Sequence, residues 1–313
     1  MTIKKKLTIA IPIYNEEIRL KEFIEDLIFL NISHIVEIII SDDASDDKSN
    51  QICEKFVKEY DFIKLYTHKE NFGMPVKNFQ FLISKCKTEY FMFASPGDPI
   101  SKTFIHDALI ILESDISCGL VFGGYQIKDR LSDKKIEIIP NSSTSTSPVT
   151  RYISRVIDMQ PALIYGIFRY KYLNKIKLDY YDFFEVSLSL KLSIYAKIKI
   201  LNYNVWSWGI EGKRKSHSIY PFKKWLSEKF FKIKINLQEN DLNKGKRFSS
   251  TQYEKYRMFY LPFYLDQVRT IFKNFSLFKS LLISILITYY VIAKSIKIFV
   301  KPSSSDLDFK KIE

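Results

Sequence analysis

The stretch Val36-Glu37-Ile38-Ile39-Ile40-Ser41-Asp42-Asp43-Ala44-Ser45-Asp46-Asp47 constrains the chain more than any other. Four apolar residues, three of them isoleucine, suit a strand buried on both faces, and the sudden change to Asp, Ala and Ser makes a tight exit toward a helix. In an open parallel sheet a ligand lies outside the carboxyl ends of the strands, so carboxylates at such an exit face a crevice that suits a nucleotide. On these residues alone a second reading stays open: Ser45 or Asp46 caps the following helix, Ser49 to Tyr60.

Upstream, Lys6 to Ile13 predicts a first strand, and after Tyr14-Asn15-Glu16-Glu17 the apolar residues Leu20, Phe23, Ile24 and Leu27 recur at helical spacing. Two βα units in succession open a doubly wound α/β domain. Short strands are predicted at 62–66, 90–94, 120–125, 136–139 and 197–201. The Ser/Thr-rich run Asn141 to Pro148 has no apolar period and reads as a flexible loop near an acceptor entrance, or as a linker.

Ile-Pro-Ile-Tyr-Asn-Glu-Glu (11–17) followed by Ile-Ile-Ser-Asp-Asp-Ala-Ser-Asp-Asp (39–47) resembles the nucleotide-binding half of the family-2 inverting glycosyltransferases, over most of Leu7 to Ser218. The resemblance implies a GT-A fold: a Rossmann-like, nucleotide-binding mixed sheet flanked by helices, here with a C-terminal helical extension. It implies that Asp43 binds the base or ribose, Tyr14 lies against the uracil and Asp42 supports the loop, with Pro12, Asn15 and Glu16 in the same motif. It also brings Asn71, Gly73 and Asn78 to the nucleotide. Read as residues only, Asn71 and Gly73 are ordinary turn formers.

After the apolar strand at 90–94 comes Ser95-Pro96-Gly97-Asp98-Pro99. The resemblance implies an acidic pair here that holds a divalent cation against two phosphates through hard oxygen ligands. In the ungapped register that pair falls on Ser95 and Gly97, and Asp98 matches the acid just after it. Three readings stay open: Asp98 anchors Mg²⁺ or Mn²⁺ with water and phosphate, the dependence on metal is weak, or Pro-Gly-Asp is only a turn.

Further on, Asp179 to Leu188 enters a helix. The resemblance implies a carboxylate at its start that takes the acceptor hydroxyl's proton. Counting back from Leu190-Lys191-Leu192 gives Glu185, and Asp182 lies three residues earlier on nearly the same face. Either acid also suits a helix N-terminus electrostatically. Lys213 to Ser218 is the basic loop that the resemblance sets near the pyrophosphate, with Arg214 as its candidate; a solvated basic loop is the alternative.

The chain has 313 residues and a net charge of +13, so anionic partners are expected: a nucleotide, an anionic membrane surface or nucleic acid. No nucleic-acid-reading motif is present, so specific nucleic-acid binding is not expected. Cys53, Cys86 and Cys118 lack paired spacing, which points to buried thiols in a reducing compartment and against zinc. No signal-peptide pattern follows the basic Met1 to Lys6. Leu281 to Ala293 is uncharged and short for a span, and Lys279, Lys294, Lys297 and Lys301 fall to one side, as in a helix lying in a membrane interface. A tilted span or a plain core helix are the other readings.

These features predict a catalytic domain at 1–218, a membrane-associating helical extension at 219–302 and a disordered tail at 303–313. The expected activity is transfer of a sugar from a nucleoside diphosphate sugar, a UDP-sugar first among them, to a hydroxyl of a glycan or lipid-linked acceptor, with inversion. Capsule, lipopolysaccharide or O-antigen assembly at the inner face of the plasma membrane is the expected setting. The absence of a Gln-x-x-Arg-Trp signature argues against a processive synthase, and a catalytically degenerate scaffold in a membrane complex is the alternative.

Overall fold

Four strands, β1 (Leu7–Ile13), β2 (Val36–Asp42), β3 (Ile63–Thr67) and β4 (Tyr90–Phe93), lie parallel in the order 3-2-1-4 in the computed structural model. The structure describes residues 5–129, 135–178, 184–210, 261–285 and 288. Each of these strands is followed by a helix: α1 (Glu17–Phe29), α2 (Ser49–Glu59), α3 (Pro75–Lys85) and α4 (Lys102–Ser114). Ile38, Ile39 and Ile40 are each no more than 2% exposed, so β2 is covered on both faces, as its unbroken apolar run requires. Between β1 and β4 the strand order reverses, which leaves a crevice at their carboxyl ends.

Beyond β4 the sheet turns antiparallel. β4 pairs with β7 (Ile167–Arg169), then come β5 (Cys118–Asp129) and β6 (Lys135–Ile138), and β8 (Lys197–Ile210) pairs with β5. Helices α5 (Pro148–Ile157), α6 (Tyr170–Leu173) and α7 (Phe184–Tyr195), with a 3-10 turn at Pro161–Tyr165, complete this part. α7 is buried around nearly its whole girth, including Ser187, Ser189 and Ser193. The hydroxyls of Ser189 and Ser193 donate to the carbonyls of Val186 and Leu190 in their own helix, which is how polar residues sit there at little cost.

The run at 141–148 is a loop fastened at several points. Ser143 exchanges backbone hydrogen bonds with Ile198, Ser142 Oγ accepts the Ile200 N–H at 3.0 Å, and Ser147 caps α5 through the Thr150 N–H with Pro148 at the first helical position. Buried Arg151 then fastens the run to the end of α7, donating to the carbonyls of Ser145, Thr146, Ser193 and Ile194. A guanidinium is thus the C-terminal cap of a buried helix.

The chain divides into two units, residues 1–127 with 136–208, and residues 128–135 with 209–313. In the second unit, α8 (Leu261–Asn274) is followed by helical residues at 277–285. Ser280 Oγ donates back to the carbonyls of Ile271 and Phe275, while Leu277, Phe278 and Ile285 are exposed. No helix among the described residues is long and apolar enough to cross a membrane. The expected boundary at 218, the tail at 303–313, most of Leu281 to Ala293, and Lys294, Lys297 and Lys301 lie outside the described residues.

Candidate active site

The exit of β2 is a knot of protein hydrogen bonds. Ser41, Asp42 and Asp43 are all buried. Asp42 Oδ1 accepts the N–H and the hydroxyl of Ser45, and its Oδ2 accepts from Asn50 Nδ2 at 3.1 Å. Ala44 then turns with φ +59°, a conformation L residues rarely adopt outside tight functional turns. Asp43 Oδ1 accepts the Phe72 N–H at 2.8 Å, and its carbonyl accepts from Asn71 Nδ2 at 2.9 Å. Asn71 Oδ1 in turn takes the N–H of Gly73, whose φ of +69° needs a glycine. Asn78, on the first turn of α3, reaches the Ser41 carbonyl at 3.0 Å and is buried.

The loop after β1 is clasped to this exit. The N–H groups of Asn15, Glu16 and Glu17 donate to Ser45 Oγ, Ser49 Oγ and Asp47 Oδ2 at 2.9, 2.8 and 3.1 Å. In return Asn15 Oδ1 accepts the Asp46 N–H, and Glu17 Oε2 accepts the Lys48 N–H. Burial pushes the Asp47 carboxyl up, but the bonds from Ser49 and Glu17 outweigh it and hold it below the usual value of 3.8. The capping alternative therefore falls: Ser45 serves Asp42 and Asn15, and Asp47, not Ser45 or Asp46, accepts the first helical N–H, that of Ser49. Pro12 pairs opposite Ser41 in the ladder, and Tyr14 stands half exposed at the rim.

Across the crevice, the turn after β4 is closed by the Asp98 N–H on the Ser95 carbonyl at 3.0 Å. A cleft beside Asp98 is lined by Met92, Ser95, Pro99, Tyr165, Val205 and Trp206, with Tyr165 stacked on Trp206 at 4.9 Å. Ser95 could add one hydroxyl to Asp98 as a cation ligand and Gly97 none. Among the described residues no three His, Cys, Asp or Glu side chains converge. A hard divalent ion takes six or more oxygens, so beside Asp98 and Ser95 most of its shell would come from water and phosphate.

Glu185 occupies the first turn of α7. Its neighbour Phe184 packs on Phe79 at 5.1 Å, and Phe79 on Phe93 of β4 at 4.6 Å, so three rings fix the start of α7 against the strand that leads into the Asp98 turn. Asp182 and Arg214 lie outside the described residues. Sequence reasoning missed Ser45, Ser49 and Asn50 as the partners of the motif, and missed His68, which bonds Ser41 Oγ at 2.9 Å and packs on Phe72 at 4.3 Å. Nothing in their spacing distinguishes them from ordinary surface polar residues.

A carboxylate-lined exit of β2, next to the switch point between β1 and β4 of a 3-2-1-4 sheet, defines a doubly wound α/β domain. Residues 8–98 match the sequence model of glycosyl transferase family 2. The chain is 28% identical over 122 residues to the glycosyltransferase GlyA of Streptococcus pneumoniae, covering 38% of this chain and 17% of that protein. It is 30% identical over 104 residues to the minor teichoic acid biosynthesis protein GgaB of Bacillus subtilis, covering 33% of this chain and 11% of that protein. The matches therefore span well under two thirds of those relatives. Among solved structures, Staphylococcus aureus TarS 1–349 in complex with UDP superposes with a TM-score of 0.52 at 18% identity, over 93% of this chain and 88% of that one. The fold is GT-A.

Proposed function

We propose that the chain is a glycosyltransferase that moves a sugar from a UDP-sugar to a hydroxyl of a cell-surface glycan or lipid-linked oligosaccharide, with inversion. The observation that carries this reading is the Asp43–Asn71 knot, a buried carboxylate tied to an exposed amide at the exit of β2, within the segment that matches the family-2 model. UDP-GlcNAc and UDP in complexes of the fold neighbour support a UDP-sugar donor. The teichoic acid biosynthesis relative supports a surface polymer as the acceptor class, of which capsule, lipopolysaccharide and O-antigen are instances.

In this mechanism Asp43, Asn71, Gly73 and Asn78 bind the nucleoside, Tyr14 covers the base, and Asn15, Glu16, Pro12 and Asp42 hold the loops. Glu185 takes the acceptor proton, with Asp182 as the other candidate, as the acceptor oxygen bonds to the anomeric carbon. The bond to the diphosphate breaks on the opposite face, and Arg214 meets the departing charge. The steps assigned here run through the chain's own residues, and Asp98 lies on the donor-side turn. Leu277, Phe278 and Ile285 give the second unit an apolar surface suited to peripheral contact with an anionic membrane on its cytoplasmic side. Flotation with anionic vesicles, and its absence with neutral ones, tests that contact.

Ser95 and Gly97, where the resemblance implies acids, favour a second reading, a non-catalytic scaffold. The deciding experiment is thermal stabilisation by a panel of nucleoside diphosphates and nucleotide sugars, followed by turnover of the sugar that binds. A rise in melting temperature with UDP that disappears in Asp43→Ala, together with transfer or hydrolysis of the UDP-sugar, is expected. No shift with any nucleotide overturns the proposal, and a shift without turnover selects the scaffold.

A further inference from the structure

Arg19 lies in the first turn of α1, and its side chain crosses to the β4 turn. Gly97 has φ +89°, and the place a Cβ would take there is 3.0 Å from Arg19 Cδ, 3.3 Å from Nη1 and 3.7 Å from Nε. The guanidinium therefore bridges the exits of β1 and β4, the two strands between which the order reverses. Its recorded ion pair is with Glu16 at 3.6 Å, on side chains 45% and 26% exposed, a contact of little energetic weight. A planar guanidinium binds phosphate oxygens two at a time, and its charge does not depend on pH in the working range.

The residues facing this crevice from the β4 side are one carboxylate, Asp98, and two that bring no charge, Ser95 and Gly97. A diphosphate bound there needs positive charge, and Arg19 supplies it from within the fold. We propose that Arg19 binds the diphosphate of the donor and makes donor binding independent of a divalent cation, with Gly97 keeping open the space its side chain occupies. This rests on the nucleotide-sugar reading above.

Calorimetric titration of the full chain with UDP and with uridine, each in EDTA and in Mn²⁺, tests it. Wild type is expected to bind UDP equally in both buffers. Arg19→Gln is expected to weaken UDP by about tenfold or more and to leave uridine unchanged, with Arg19→Lys between the two. Because Arg19 is exposed, the variant should melt with wild type, and that is checked first. Equal weakening of UDP and uridine in Arg19→Gln, no weakening of either, or loss of wild-type UDP binding in EDTA would each overturn the proposal. Failure of wild type to bind either compound in Mn²⁺ would instead overturn the nucleotide reading on which it rests.

Discussion

Asp43 gives one carboxylate oxygen to the backbone N–H of Phe72, at 2.8 Å, so the residue assigned to the nucleotide also holds the β3–α3 loop in place. Asp43→Asn keeps an acceptor for Phe72 and loses the charge. It is expected to lower the melting temperature by no more than ~2–4 °C while UDP binding drops sharply. Asp43→Ala is expected to lose both, and paired melting and calorimetry separate the two roles.

Asp42 is bonded within its own loop and to α2. Its two oxygens take three hydrogen bonds, from the N–H and hydroxyl of Ser45 and from Asn50. Asp42→Ala leaves those donors without their acceptor in a half-buried loop, and a loss of about 1–3 kcal/mol in urea unfolding is expected. A loss of binding without a loss of stability would show that the carboxylate touches ligand.

Arg151 caps α7 with donors that four carbonyls share. Arg151→Met is expected to cost about 3 kcal/mol or more. Arg151→Lys should recover little of it, since an ammonium on a longer stem cannot span the same carbonyls. Denaturant melts of the two variants check this.

The three cysteines are buried, and burial pushes the Cys53 thiol up to about 12 from 9.0. In native protein at pH 8 a disulfide reagent should therefore find no reactive thiol among them, and three after unfolding in urea. The unfolded thiol ionises near 9.0 while the folded one keeps its proton to about 12, so stability should fall as pH rises through that window. Cys53→Ala should flatten the fall, measured as urea midpoints across the alkaline range.

Phe79 joins the start of α7 to β4 through Phe184 and Phe93. Phe79→Ala should cost less than the ~3–5 kcal/mol of a fully buried ring, because Phe79 is only partly covered. Its larger effect should be on turnover, with kcat falling while the donor KM holds, as expected if Glu185 shifts against a donor site that stays intact. Steady-state kinetics on both substrates checks it.

The N-terminal half was legible because its chemistry and its periodicity agree. Ile38 to Ile40 and Tyr90 to Phe93 are apolar runs that only a covered strand tolerates, and each ends in residues that turn the chain. Helix α5 was not legible, since the residues that fasten it, Ser142, Ser143, Ser147, Arg151 and Arg155, are polar and read as solvent-facing. The burial of Ser143 and Arg151 follows from carbonyls contributed by β8 and α7, a tertiary fact that no local pattern carries. The same holds at the site. Asp42 and Asp43 announce themselves beside the apolar strand, whereas Ser45, Ser49 and Asn50 acquire meaning only once two loops meet.

The clasp between those loops is made from the protein's own groups, with Asn15, Glu16 and Glu17 on one side and Ser45 to Ser49 on the other. A ligand arriving there does not have to freeze either loop, so the ordering entropy that weakens many associations is small at this edge of the crevice. Capture should then be governed by diffusion and the basic field of a +13 chain, and fall with ionic strength, while discrimination between ligands is expressed in how long they stay.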